Sequence, residues 1–380
     1  MDGTLVPPDW PPLECDEVRA VLAQFPALGR PERILTVSPR PLSAAGVVAT
    51  SNTRVFIKRH HHSVRDGEGL VEEHRFLAHL LAQGAPVPRV FACAQGETAI
   101  ELGDFVYEVH EVPAGIDLYE DAISWTPFRT SAHARSAGEA LARLHLAARD
   151  FAAPLRKPRP LVASFTIFAA HDPIAAMARY LAKRPSLARH AAVRVCAAQA
   201  IEILTPFHAE LAPLLPALAT LWTHNDLHAS NLFWSDETPE ARVTAIVDFG
   251  LADRTNAVHD LAHAIERNVV EWLALTRHAS QPMVVHLDHL AALLDGYEAI
   301  RPLAEEEAAA LAPMVALCHA EFALSEADYF LGALHSEERA VAAYDGWLVG
   351  HARWFHSEAG ERFLDAIRGW AARAREGQAR

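Results

Sequence analysis

From Ser131 onward the apolar residues of this 380-residue chain recur at helical spacing, with one interruption. Residues Thr220–Thr223, Leu232–Trp234 and Val243–Phe249 read instead as short strands joined by polar loops. A helical body that admits such an insert has to hold it at a cleft or a surface, because the loops carry backbone groups that need partners. No other feature narrows the possible folds so far.

The first third follows a different period. Cys15–Phe25 fits a short helix, and Arg33–Ser38, Gly46–Thr50 and Arg54–Lys58 read as strands. Leu70, Phe76, Leu77, Leu80 and Leu81 then predict a helix over Leu70–Gln83, stopped by Gly84, Pro86 and Pro88. Further strands are expected at Arg89–Ala94, Glu97–Glu101 and Phe105–Glu111, before a break at Pro113-Ala114-Gly115. The later helices are expected at Ser131–Asp150, Pro173–Lys183, one long segment from Ser186 to about Leu211, and from Val258 onward. The chain is longer than the roughly 250–300 residues at which single cores stop growing, so two lobes are expected. The division is a β-rich lobe over residues 1–112, a hinge at 113–118 and a mainly α-helical lobe over 119–380, an α+β class.

Composition excludes several functions. With 51% hydrophobic and 22% charged residues the chain is globular rather than disordered or fibrous. A formal charge of -14, without a Lys/Arg stripe, argues against a nucleic-acid partner. Cys15, Cys93, Cys196 and Cys318 form no C-x-x-C pair, which fits a reduced cytoplasmic protein better than a zinc module or a disulfide scaffold. The opening residues lack the basic start and apolar core of a signal peptide, and no run of 18 apolar residues occurs. A cytoplasmic protein without a membrane partner is expected. Lys58, Lys157 and Lys183 are the only lysines, so each stands where an ammonium rather than a guanidinium was kept.

The interruption carries the chemistry. Thr223-His224-Asn225-Asp226-Leu227-His228-Ala229-Ser230-Asn231 contains H-x-D-x-x-x-x-N, and Asp248-Phe249-Gly250 follows. Phosphoryl transfer needs a carboxylate to orient and deprotonate the attacking hydroxyl, and oxygen ligands to hold Mg²⁺ against nucleotide phosphates. Asp226 suits the first task; Asn231 and Asp248, brought side by side by a hairpin, suit the second. H-x-D recurs at His286-Leu287-Asp288, but Leu293 stands in the asparagine position and no D-F-G follows. The full ordered set is therefore far more specific than its parts.

On these residues the chain resembles the aminoglycoside phosphotransferase/choline kinase family, from about Ile34 to the helices after Asp260. The resemblance implies a bilobal protein-kinase-like fold and an ATP- and Mg²⁺-dependent transfer to a hydroxyl of a small molecule: an amino alcohol, amino acid, sugar or aminoglycoside. It makes Asp226 the catalytic base and Asn231 and Asp248 the metal ligands. His224 would hold the loop, and Asp260 would support it from a helix start. Lys58, in Val55-Phe56-Ile57-Lys58, would contact the α- and β-phosphates, fixed by Glu72 or Glu73 of the next helix, with the match to the family's helix favouring Glu73. Leu42-Ser43-Ala44-Ala45-Gly46 departs from the family's glycine-rich loop, leaving Ser43, Gly46 and backbone amides to cap phosphates. At the hinge Pro113 has no N–H to offer adenine, which shifts recognition to the Glu111 carbonyl and Val112 amide.

Three rivals stand beside this expectation. A protein Ser/Thr kinase of the same family is disfavoured by the short span from Asp248 to Asp260 and by the lack of A-P-E. A metallohydrolase would use the H-x-D-x-H of His224, Asp226 and His228. A nucleotide-binding pseudokinase is disfavoured because every principal residue is present. Asp253, Arg254, Glu266, Arg267, Glu321 and Tyr329 are candidates to line the acceptor pocket.

Overall fold

The structure is a computed structural model in which residues 8–273 and 284–378 are described. The opening residues, where no signal peptide is expected, lie outside these. Five antiparallel strands form one sheet: β1 (Pro31–Val37), β2 (Ala44–Thr50), β3 (Arg54–His61), β4 (Ile100–Leu102) and β5 (Phe105–Glu111), in spatial order β1-β2-β3-β5-β4. Alternation along β3 and β5 sends Val55, Ile57, Tyr107 and Val109 into a small core with Val18, Val21 and Leu22 of α1 (Cys15–Leu22). Phe56, Lys58, His60, Glu108 and His110 take the opposite face, toward α2 (Gly67–Ala82). The expected strand over Arg89–Ala94 shrinks to a single bridge, Val90 to His110, because the chain already turns at Cys93, whose amide bonds Glu97.

The remainder is helical: α3 (Ser131–Ala148), α4 (Pro173–Ala182), α5 (Pro185–Arg189), α6 (Ala191–Leu211), α7 (Ala257–Val269), α8 (Leu287–Ile300), α9 (Glu305–Leu317), α10 (His319–Asp328) and shorter turns beyond. The expected continuous helix from Ser186 breaks at His190, which turns extended and caps α6 through its ring. Residues Glu305–Ala333 form a run long and apolar enough to cross a bilayer, yet 94% of its apolar window is buried inside the protein. The end of that run, Tyr329–Ala333, is π-helical, as is Ala342–Gly350 after it. Helices α3 and α8 cross at glycines: a Cβ on Gly138 would stand 2.0 Å from the Leu293 carbonyl oxygen, and one on Gly296 2.1 Å from that of Arg135.

The insert holds four short strands rather than three. β6 (Thr220–Thr223) pairs with β9 (Asp253–Asn256), and β7 (Leu232–Trp234) with β8 (Val243–Ile246). β9 escapes a hydrophobicity reading because Asp-Arg-Thr-Asn has no apolar residue. Ahead of α1 a segment straps the two parts together. The Asp9 amide bonds the Pro41 carbonyl, and Trp10 stacks on His61 of the sheet. On the helical side Asp9 pairs with Arg339, and Tyr329 Oη donates to its carboxylate at 2.8 Å.

Candidate active site

Asp226 lies on the loop after β6, and a carboxylate on α7 fixes that loop. Asp260 accepts the His224 amide at 2.8 Å, the Asn225 amide at 2.7 Å and His145 Nε2 at 3.0 Å. Burial alone would raise its pKa, but His145 and these amides hold the carboxyl below its ordinary value. Asn225 takes φ 60°, left-handed backbone that asparagine tolerates better than most residues, and its side-chain amide donates to the Ala163 carbonyl. His224 ties the loop to the D-F-G strand. Its Nε2 meets the Val247 carbonyl at 2.9 Å while Nδ1 accepts the Asp226 amide at 3.1 Å, a pattern that defines the neutral Nε2–H tautomer. Desolvation lowers the His224 pKa, in keeping with that neutral form.

The hairpin then closes the set. Asn231 Nδ2 donates to the Asp226 carbonyl at 2.9 Å and to its Oδ2 at 3.2 Å, which leaves the amide oxygen for a cation. The Asn231 carbonyl accepts the Val247 amide, placing Asp248 beside it. Asp248, at φ 61°, accepts Lys58 Nζ at 2.9 Å. Desolvation opposes its charge, yet the Lys58 ammonium holds its carboxyl well below the usual carboxylate range. Asp226, Asn231, Asp248 and Lys58 thus converge, three oxygen-bearing side chains and one ammonium. Hard oxygen donors of this kind suit Mg²⁺.

Glu73 does not meet Lys58, contrary to expectation. Two guanidiniums claim it: Arg65 Nε and Arg156 each donate to its Oε1 at 2.7 Å. Burial disfavours its charge, but Arg156 and Arg65 keep its pKa below the ordinary value. Both arginines also donate to the Gly250 carbonyl, so Glu73 reaches the D-F-G segment through them. The buried carboxylate opposite Lys58 is Glu108, its cross-strand partner on β5. Glu108 is bound in turn by His60, His74 and His110 at 3.1, 2.8 and 2.8 Å. His60 therefore belongs to the sheet's buried inner face.

Ser43 is buried at the end of the β1–β2 loop. Gly46 sits inside β2, paired with Val37 and Ile57, where a Cβ would stand 2.4 Å from the Thr36 carbonyl oxygen; its strand neighbours account for the glycine. Glu111 ends β5, with its amide on the Arg89 carbonyl, and Val112 follows it. H-x-D-x-H does not assemble as a metal set. Both His224 nitrogens are engaged, and His228 Nε2 stands 3.8 Å from Asp226.

Of the six acceptor-pocket candidates, Arg267 reaches Asp226, in an ion-pair contact. Asp253 and Glu321 hold loops instead, Asp253 through Arg156 N and Ser164, Glu321 through the Ile167 amide at 2.6 Å. Arg254 bonds Thr220, Glu266 faces His351, and Tyr329 anchors the strap. Sequence reasoning missed Asn268, which clamps the far end of the loop through the Ala229 amide at 3.0 Å and the Leu227 carbonyl at 2.8 Å. Its signal was the spacing from Asp260, eight residues or about 2.2 turns along α7, which keeps the two within one side of the helix.

A β-sheet lobe and a helical lobe, with this loop and D-F-G presented between them, make a protein-kinase-like fold. The chain belongs to the phosphotransferase enzyme family, whose model matches residues 43–303. It is 28% identical over 248 residues to a homoserine kinase of Rhodospirillum rubrum, covering 63% of each chain, so the match spans less than two thirds of that relative. A second homoserine kinase, from Granulibacter bethesdensis, is 30% identical over 139 residues, 34% of this chain and 40% of that one. Among solved structures, a microcompartment-associated aminopropanol kinase is similar with TM-score 0.59 and 17% identity, covering 93% of this chain and 99% of that one. An aminoglycoside phosphotransferase from Alicyclobacillus acidocaldarius is similar with TM-score 0.55 and 18% identity, over 96% and 98%.

Proposed function

We propose that this protein is an ATP- and Mg²⁺-dependent O-phosphotransferase acting on a hydroxyl of a small molecule. The observation that carries the proposal is the convergence of Asp226, Asn231, Asp248 and Lys58 in one cleft. Asp226 accepts the proton of the attacking hydroxyl. The new O–P bond forms to the γ-phosphorus as the bond to the bridging oxygen breaks, and ADP leaves. Asn231 and Asp248 would hold Mg²⁺, which neutralises charge on the phosphates. Lys58, loosely shared with Asp248 across a partly exposed ion pair, is placed to turn its ammonium to the phosphates. Positioning and charge stabilisation supply most of such catalysis. The relatives named homoserine kinases support a hydroxyl-bearing amino acid as the first acceptor to try.

The test compares thermal stability with and without Mg²⁺-ATP in wild type and Asp248→Ala, followed by ADP release with a panel of hydroxyl compounds. A Tm rise that requires Mg²⁺ and disappears in the variant is expected. Absence of any shift in the wild type, together with no ADP release, sinks the proposal.

A further inference from the structure

Two buried carboxylates of the sheet lobe are matched in different ways. Glu73 is held by two guanidiniums, Arg65 and Arg156, which carry charge but offer a metal no lone pair. Glu108 is met instead by three imidazoles, of His60, His74 and His110. Imidazole is the commonest metal ligand among side chains, so the choice of partner changes what the cluster can do.

Two elements bring the cluster together. Glu108 and His110 lie two residues apart on β5 and so share its inner face, and His74 reaches them from α2. His74 Nε2 and His110 Nε2 both stand 2.8 Å from Glu108 Oε2, and one ligand atom from each of the three residues lies within 4.8 Å of the others. Around a zinc ion with bonds of about 2.0–2.1 Å, tetrahedral ligand atoms sit roughly 3.3 Å apart, so each contact need open by only about half an ångström. The supports that ligating groups require are also in place. His74 Nδ1 lies 2.8 Å from Thr98 Oγ1, and the second oxygen of Glu108 is held by His60 Nε2 at 3.1 Å.

We infer that His74, Glu108 and His110 form a site for one zinc-like transition-metal ion, with Thr98 and His60 as its outer supports. The protons balance. Each ligating imidazole moves its hydrogen from Nε2 to Nδ1 and stays neutral, its freed Nε2 lone pair goes to the ion, and at His74 the Nδ1–H then donates to the Thr98 hydroxyl. Three protein ligands leave one tetrahedral position, the arrangement of catalytic zinc. Here, however, all three side chains are at least nine-tenths buried on the face turned to α2, which suits an ion that holds the fold. It ties α2 to β5 beside Lys58, the cross-strand partner of Glu108. Two nitrogens in three ligands select a transition metal over Mg²⁺, so this site is distinct from the oxygen set at Asn231 and Asp248 and does not depend on the phosphotransferase reading.

The test takes the full chain, dialysed against EDTA and free of nucleotide, and adds Zn²⁺ while Tm is followed, then Co²⁺ while the visible spectrum is followed. Tm is expected to rise with Zn²⁺ and level off near one equivalent, as for any ligand that binds only the folded state, and to ignore the same concentration of Mg²⁺. Co²⁺ should give the intense visible bands of a four-coordinate site. His74→Gln and His110→Gln should abolish both responses, and His60→Gln should weaken Zn²⁺ affinity by roughly 10–100-fold, the usual loss with an outer support. His289→Gln is the control, because His286, Asp288 and His289 are the other close group of this kind among the described residues; it should leave both responses intact. If the site variants fail to fold, an intact response in His289→Gln supports the assignment. A wild type that ignores Zn²⁺, a response that survives His110→Gln, or one lost in His289→Gln overturns the site and leaves the phosphotransferase reading untouched.

Discussion

Asp260 illustrates how one buried carboxylate can set the conformation of a loop that it helps but does not enter. Its two oxygens hold consecutive amides, of His224 and Asn225, so the chain enters the left-handed turn at Asn225 with Asp226 already aimed. Asp260→Ala removes an acceptor from two amides and a buried imidazole, which should lower stability by about 3–5 kcal/mol, the usual loss when a buried pair is broken. Denaturant unfolding measures it. Asp226→Asn, by contrast, should keep the Mg²⁺-ATP-dependent Tm rise while kcat drops by roughly 10²–10⁴, the range for losing a positioned base. Residues of this kind were legible because the motif is local: His224 to Asn231 is one loop, and Asp248 follows across a hairpin. The partners of Glu73 were not legible. Arg65 precedes α2 and Arg156 follows α3, and nothing in the spacing of either points to Glu73.

At the scale of elements, α7 organises the site. Arg267 and Asn268 lie seven and eight residues after Asp260, so about two turns of helix present the three to both ends of the His224–Asn231 loop and to its Asp226 carboxylate. Helix periodicity was visible in the sequence, but not that all 13 residues of α7 are buried, enclosed by other helices with α3 and α8 among them. Those two helices cross with glycine against backbone, and the crossing aligns His145 of α3 with Tyr297 of α8 at 2.7 Å and with Asp260 at 3.0 Å. Gly138→Ala should force the helices apart, cost about 1–3 kcal/mol by overpacking and lower kcat by loosening His145. Melting curves beside steady-state kinetics separate the two effects. β9 stayed invisible because its pairing with β6, rather than its composition, makes it a strand.

The whole molecule carries a pH dependence in its helical core. Desolvation pushes His228, His259 and His351 down to about 3 and His319 to about 4, and His263 well below its ordinary 6.5. A base whose pKa falls on folding contributes stability that is fully present above its unfolded pKa and is lost as pH drops toward the folded one. Glu266 and Glu326, pushed up to about 7 from 4.5, act oppositely and lose their contribution as pH rises through 7. Among the described residues nine histidines are lowered and six carboxyl groups raised, so net stability should decline from about pH 6.5 to about pH 4.5. Denaturation midpoints at pH 7 and 5 check the sign; a higher midpoint at pH 5 contradicts it.

The segment carrying Asp9 and Trp10 has a mechanical consequence. It grips the sheet side at Pro41 and His61 and the helices at Tyr329 and Arg339, so it behaves as a tether between the two. A tether limits gape. Held at this second place besides the crossing at Pro113-Ala114-Gly115, sheet and helices keep less freedom to rock against each other than a single linker would leave them.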